Sequence, residues 1–175
     1  VLPVDESGLI DVASVADAVT DRTALVSVMA ANNEIGVLQP IKELAAAAHA
    51  KGAWFHTDAV QAAGKVPFDV DALDVDSASM SAHKVYGPKG VGALYLEPGT
   101  ALLPSQTGGA HERGLRAGTP NVPLIVGLAS ALQLTAAERD VHNTRSMVHR
   151  DRLIDGLPAS VAARAATGHP TPRLP

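Results

Sequence analysis

The sequence predicts an α/β fold with a mixed, mostly parallel sheet and helices on both faces. Two observations carry this expectation. A short apolar, β-branched run is followed by a segment of helical period and then by a second strand-like run, the order of a crossover unit in a parallel sheet. Later, two further strand-like runs are joined by a loop too short for a crossover, so that pair must run antiparallel.

The elements follow in order. "TALVSVMAA", bounded by "TDR" and "NNEIG", reads as a strand buried on both faces. Pro40 suits a first helical turn, after which Ile41, Leu44, Ala45 and Ala48 recur at helical spacing and Gly52 supplies a stop. "AWFHTD" reads as a second strand ending at Asp58, and "DSASMS" as a third, more polar one ending near Ser81. "VGALYLE" is the fourth, reached through the short loop "HKVYGPKG". From Val122 to about Leu157 the pattern is helical again, first apolar and then charged, which fits two helices or one long one.

Bulk properties narrow the function. The chain has 175 residues, 46% of them apolar, enough for a real core. A formal charge of -4 offers no basic face for the phosphates of a nucleic acid. With no cysteine, neither a disulfide framework nor a thiolate metal cage can form within these residues. No apolar run approaches the roughly 20 residues of a membrane helix, and the start lacks the pattern of a signal peptide. A soluble protein without membrane contact is expected, with the cytoplasm as the default location. The absence of an initiator methionine and the Pro-rich ending "GHPTPRLP" suggest a piece of a longer protein.

Polar groups gather where the predicted strands finish. Asn33 follows the first, Asp58 ends the second, and Ser81, His83 and Lys84 close the third. In parallel sheets this edge is where ligands bind. A carboxylate, a lysine, an asparagine and hydroxyl or imidazole donors suit a ligand with a cationic nitrogen, a carbonyl and an anion, and pyridoxal phosphate has all three. Lys84 is the candidate Schiff-base lysine. It must be neutral part of the time, which partial burial or a nearby cation would favour. Taken singly, these residues have plainer readings. Lysine is usually a solvated surface residue, Asp58 could cap a turn, and Glu112 with Arg113 reads as a loop salt bridge. His49, His142 and His149 fall on solvated helical faces. His56, His83 and His111 could together resemble a metal-dependent hydrolase site, but that leaves Lys84 and its flanking glycines unexplained.

The strings "NNEIG", "HTDAVQAAGKVPFDV", "SAHKVYGPKGVGALY" and "GGAHERGLRAGT" occur in this order over nearly the whole chain. In this the chain resembles the cysteine desulfurases, class V members of the fold-type I pyridoxal phosphate enzymes. The resemblance implies that Lys84 carries the cofactor, Asp58 pairs with its ring nitrogen, and Gln61 hydrogen-bonds its phenolic oxygen. Ser81 and His83 would hold its phosphate, and Asn33 would stand beside the cofactor oxygen and the substrate. Thr119 would reach the phosphate in a partner subunit, which implies a homodimer. Arg113 and Arg116 share that loop without an assigned contact, and Ala82 stands where many relatives have glycine.

By the same resemblance, residues 1–157 are expected to form the central part of a pyridoxal phosphate-binding large domain, and residues 158–175 the connection toward a small domain outside this chain. The catalytic cysteine would also lie outside it, so these residues alone are expected not to turn over cysteine. The implied activity is removal of sulfur from L-cysteine to give alanine and an enzyme persulfide, passed to a sulfur acceptor such as an iron-sulfur scaffold protein. Selenocysteine lyase or another class V lyase or aminotransferase, a metal-dependent hydrolase, and a non-catalytic truncated module are the alternatives.

Overall fold

A computed structural model describes residues 1–157 and 168–175. Four strands, β1 (Leu25–Met29), β2 (Trp54–Asp58), β3 (Ser77–Ser81) and β4 (Gly92–Leu96), form one sheet in the order β1-β2-β3-β4. The first three are parallel and β4 runs against β3, as expected from its short connection. The helices are α1 (Val12–Ala18), α2 (Ile41–His49), α3 (Val70–Leu73) and α4 (Val122–Gly156). The C-terminal helical pattern is thus one continuous helix of 35 residues.

Helix α2 sits where its apolar spacing put it. Ile41, Leu44, Ala45 and Ala48 are buried, and Gly52 (φ +76°) turns the chain into β2 in the left-handed region that glycine adopts without penalty. These residues pack on Val26, Val28, Phe55 and Ala78 of the sheet, with Val15 and Val19 closing the cluster. The two short helices are held by local caps. Asp11 accepts the Ala13 N–H at 3.1 Å, and Asp69 accepts those of Asp71 and Ala72 at 3.0 and 3.1 Å.

The expected covering of both faces is met on one. Helix α2 lies against the sheet, with α1 and α3 packed on α2. Burial along β1 therefore alternates: Val26 and Val28 are enclosed, whereas Leu25 (54% exposed) and Ser27 stand open, in contrast to the doubly buried strand expected from its apolar text. Helix α4 packs instead on the turn after β3, where Ala82, Val85, Leu128 and Ala131 form a second apolar cluster.

His49 also differs from its expected solvated setting. Its Nε2 lies 2.8 Å from Asp76 Oδ2, an oxygen that accepts the Phe55 N–H at 2.6 Å, so the end of α2 is tied to β2 and to the approach to β3. Residues 158–167 of the expected connecting segment lie outside the described residues. Residues 168–175 are folded back beside the turn after β1: Leu38 N–H donates to Pro172 O at 2.7 Å and Leu174 N–H to Gly36 O at 2.7 Å.

Thr57 is fully enclosed on the α2 side of the sheet, and its hydroxyl has no hydrogen-bond partner among the described residues. A buried polar group without a partner retains its desolvation cost. Thr57→Val, nearly equal in volume, is expected to stabilise the protein by about 1 kcal/mol, read as a higher urea midpoint at unchanged slope.

Candidate active site

Because β1, β2 and β3 are parallel, their C-terminal ends share one edge, and most of the candidate residues fall along it. Asp58 is the last residue of β2, in register with Met29 of β1 and Ser79 of β3. Its Oδ1 accepts the Val60 N–H at 2.9 Å, which fixes the carboxylate at the start of the following turn. Gln61 lies in that turn, and its Oε1 accepts a hydrogen bond from Lys65 Nζ at 2.7 Å.

Ser81 ends β3 and leads into a 3-10 turn of Ala82, His83 and Lys84. Ser81 Oγ and His83 Nδ1 are 2.7 Å apart, so the pair forms one polar unit. The backbone beneath them is tightly fixed. Ala82 N–H donates to Val91 O at 3.1 Å, and the N–H groups of Val85 and Gly87 both donate to Ala82 O, at 3.0 and 2.9 Å. A Cβ on Gly87 would stand 3.0 Å from both the Cβ and the carbonyl oxygen of Ala82, so only glycine lets the loop close this tightly. Ala82 itself is fully buried, and its backbone stays outside the left-handed region. Lys84 is exposed, and its amine has no hydrogen bond or ion pair among the described residues.

Asn33 is exposed in the turn after β1, whereas its neighbour Asn32 builds that turn by accepting the N–H groups of Glu34 and Ile35 at 2.8 and 3.0 Å. The two asparagines thus divide the work: Asn32 shapes the backbone and leaves the side chain of Asn33 uncommitted. Thr119 is not joined to the strand-end residues. It is exposed in the loop before α4 and makes no side-chain hydrogen bond among the described residues. In the same loop Glu112 and Arg113 form no ion pair with each other; both take left-handed backbone angles (φ +49° and +57°), which replaces the expected salt bridge with a strained turn.

Among the described residues no group of three His, Cys, Asp or Glu is placed to hold a metal ion. His56 faces the open side of the sheet, with Nδ1 2.7 Å from Ser27 Oγ, and burial lowers its pKa while Asp58 pulls the other way. Two features were not singled out from the sequence. One is this Ser27 and His56 pair. The other is Lys65, although it lies four residues after Gln61 within a motif already noted.

The aminotransferase class-V family matches residues 1–165. The chain belongs to this family. It is 49% identical over 173 residues to a protein named cysteine desulfurase IscS from Methanosarcina thermophila, an alignment covering 99% of this chain and 43% of that relative. Among solved structures, it superposes on a NifS-like protein with a TM-score of 0.86 at 43% identity, covering 89% of this chain and 43% of the other. It also superposes on SspA in complex with cysteine, with a TM-score of 0.72 at 44% identity, covering 76% of this chain and 39% of the other. The chain therefore spans less than half the length of these relatives.

The donor set of this class V segment fits pyridoxal phosphate. A carboxylate held in place at a strand end suits a protonated ring nitrogen, an unpaired amine suits an aldehyde, and a linked hydroxyl and imidazole suit a phosphate.

Proposed function

We propose that the protein contributes the cofactor-binding centre of a pyridoxal phosphate-dependent cysteine desulfurase, which takes sulfur from L-cysteine, leaves alanine and passes a persulfide to an acceptor such as an iron-sulfur scaffold. The observation that carries this reading is the amine of Lys84, exposed and without a partner among the described residues, on the strand-end edge that also bears Asp58 and Ser81. The names of the relatives and the cysteine found with SspA support the substrate.

When bound, pyridoxal phosphate supplies an aldehyde that joins to an amine and a ring that withdraws electrons from the substrate carbon. Asp58 would hold the proton on the ring nitrogen. Gln61 would bind the phenolic oxygen, Ser81 and His83 would bind the phosphate, and Asn33 would stand beside substrate and cofactor. Lys84 would hold the aldehyde, and its amine, when neutral, would serve as general base and acid for the α-proton of the substrate. Thr119, whose hydroxyl has no partner in its own chain among the described residues, serves the phosphate of a second copy in a cytoplasmic homodimer. The sulfur-accepting thiol comes from outside these residues, which contain no cysteine.

The test is product analysis of the full-length protein with L-cysteine. Alanine and persulfide sulfur are expected in equal amounts. Alanine released only from L-selenocysteine, or amino-group transfer to a keto acid without sulfur release, would replace this reading with another class V activity.

A further inference from the structure

Lys65 occupies an unusual position for a lysine. It lies in the turn after β2, half-buried, and its backbone is held from two sides: its N–H donates to Ala62 O at 3.0 Å, and its carbonyl accepts the side-chain N–H of Asn143 on α4 at 2.6 Å. Its side chain ends on the carboxamide of Gln61 at 2.7 Å. Burial lowers its pKa, and the charge of Lys84 lowers it further.

Protonated lysine has three donors and no acceptor, so the atom of Gln61 that meets it can only be the carbonyl oxygen. A carboxamide is otherwise free to turn over and exchange its oxygen with its NH2 group. With the oxygen engaged, the NH2 group is the end left over, and it has no protein partner among the described residues. We propose that Lys65 is a positioning residue that locks the Gln61 carboxamide so that it presents only donors to the ligand, selecting an electron-rich, anionic oxygen at that point. This rests on the reading of Gln61 given above and adds what orients it. Reversed, the amide would set its own oxygen lone pairs against those of the ligand oxygen.

The test titrates pyridoxal phosphate into the protein and into Lys65→Met, Lys65→Arg, Gln61→Ala and the Lys65→Met/Gln61→Ala double variant. Affinity is read from the visible band, and a pH titration gives the midpoint at which that band changes. Lys65→Met keeps the backbone bonds to Ala62 and Asn143, so the fold is retained, and affinity is expected to fall roughly five- to tenfold with a shifted midpoint. Lys65→Arg, which also donates to an amide oxygen, should stay within about twofold of the parent protein. In the Gln61→Ala background, Lys65→Met should add less than about twofold, because the group it orients is gone. Lys65→Leu, which likewise has no donor, serves with the same expected direction should Lys65→Met fail to fold. If Gln61→Ala changes affinity and midpoint but Lys65→Met changes neither, or changes them equally in both backgrounds, the lock is refuted and the role of Gln61 stands. If Gln61→Ala changes nothing, both fall together.

Discussion

Lys84→Ala is expected to lower turnover of the full-length, cofactor-loaded protein by about 10²–10⁴-fold, the range a positioned acid-base group contributes. Borohydride reduction of the parent protein should fix the cofactor covalently on the peptide containing Lys84, and the variant should show no such label. On the proposed reading the two effects have one cause, since a single amine would both hold the aldehyde and move the proton. Lys84→Arg should be as inactive, because a guanidinium remains protonated at any accessible pH and can do neither. Stability offers the control. The side chain of Lys84 is exposed and unpaired among the described residues, so both variants should melt within about 0.5 kcal/mol of the parent protein. A reduced label found on Lys65 or Lys89 instead would overturn the assignment.

Asp58→Asn is expected to cost about 10²–10³-fold in turnover, as the loss of one fixed electrostatic partner at a reacting centre does. The substitution is nearly isosteric, and the amide oxygen can still accept the Val60 N–H now taken by Oδ1 at 2.9 Å, so the turn should survive. What disappears is the negative charge proposed to keep the ring nitrogen protonated. An independent readout comes from His56, two residues away on the same face. Burial lowers its pKa and Asp58 opposes that shift, so removing the carboxylate should lower the His56 titration midpoint further in NMR spectra. Unchanged turnover together with a shifted His56 would mean that Asp58 shapes the local field without serving the reaction.

Much of this arrangement was legible because it depends on short-range rules. The strands announce themselves as apolar runs closed by polar residues, α2 by its spacing, and the reversal of β4 by a loop too short to cross over. Helices α1 and α3 escaped because seven and four residues are too few to display a period, and their local signal is a single capping aspartate each. One-sided burial of β1 could not be read from its composition. Leu25 is apolar whether or not anything covers it, and the exposed face is a property of how the helices are distributed. His49 and Lys65 were missed for a related reason. A charged side chain on a helix or turn reads as solvated until its partner is known; Asp76 lies 27 residues from the one, and although Gln61 is only four residues from the other, nothing in the sequence says that the Lys65 amine turns back onto it. At the site, the residue types and their order were legible, whereas the division of labour between Asn32 and Asn33 depended on which side chain the backbone of the turn captures.

The reversal of β4 has a mechanical corollary. Ser81 and Gly92 are paired across the ladder, so the segment bearing Lys84 is clamped at both ends, with Ala82 and Val85 wedged under α4. Such a hairpin tip cannot swing like a flap. Any travel of the amine between cofactor and substrate must come from torsions about its own methylene stem, which relax in picoseconds to nanoseconds. Slow gating, where it occurs, has to be sought elsewhere.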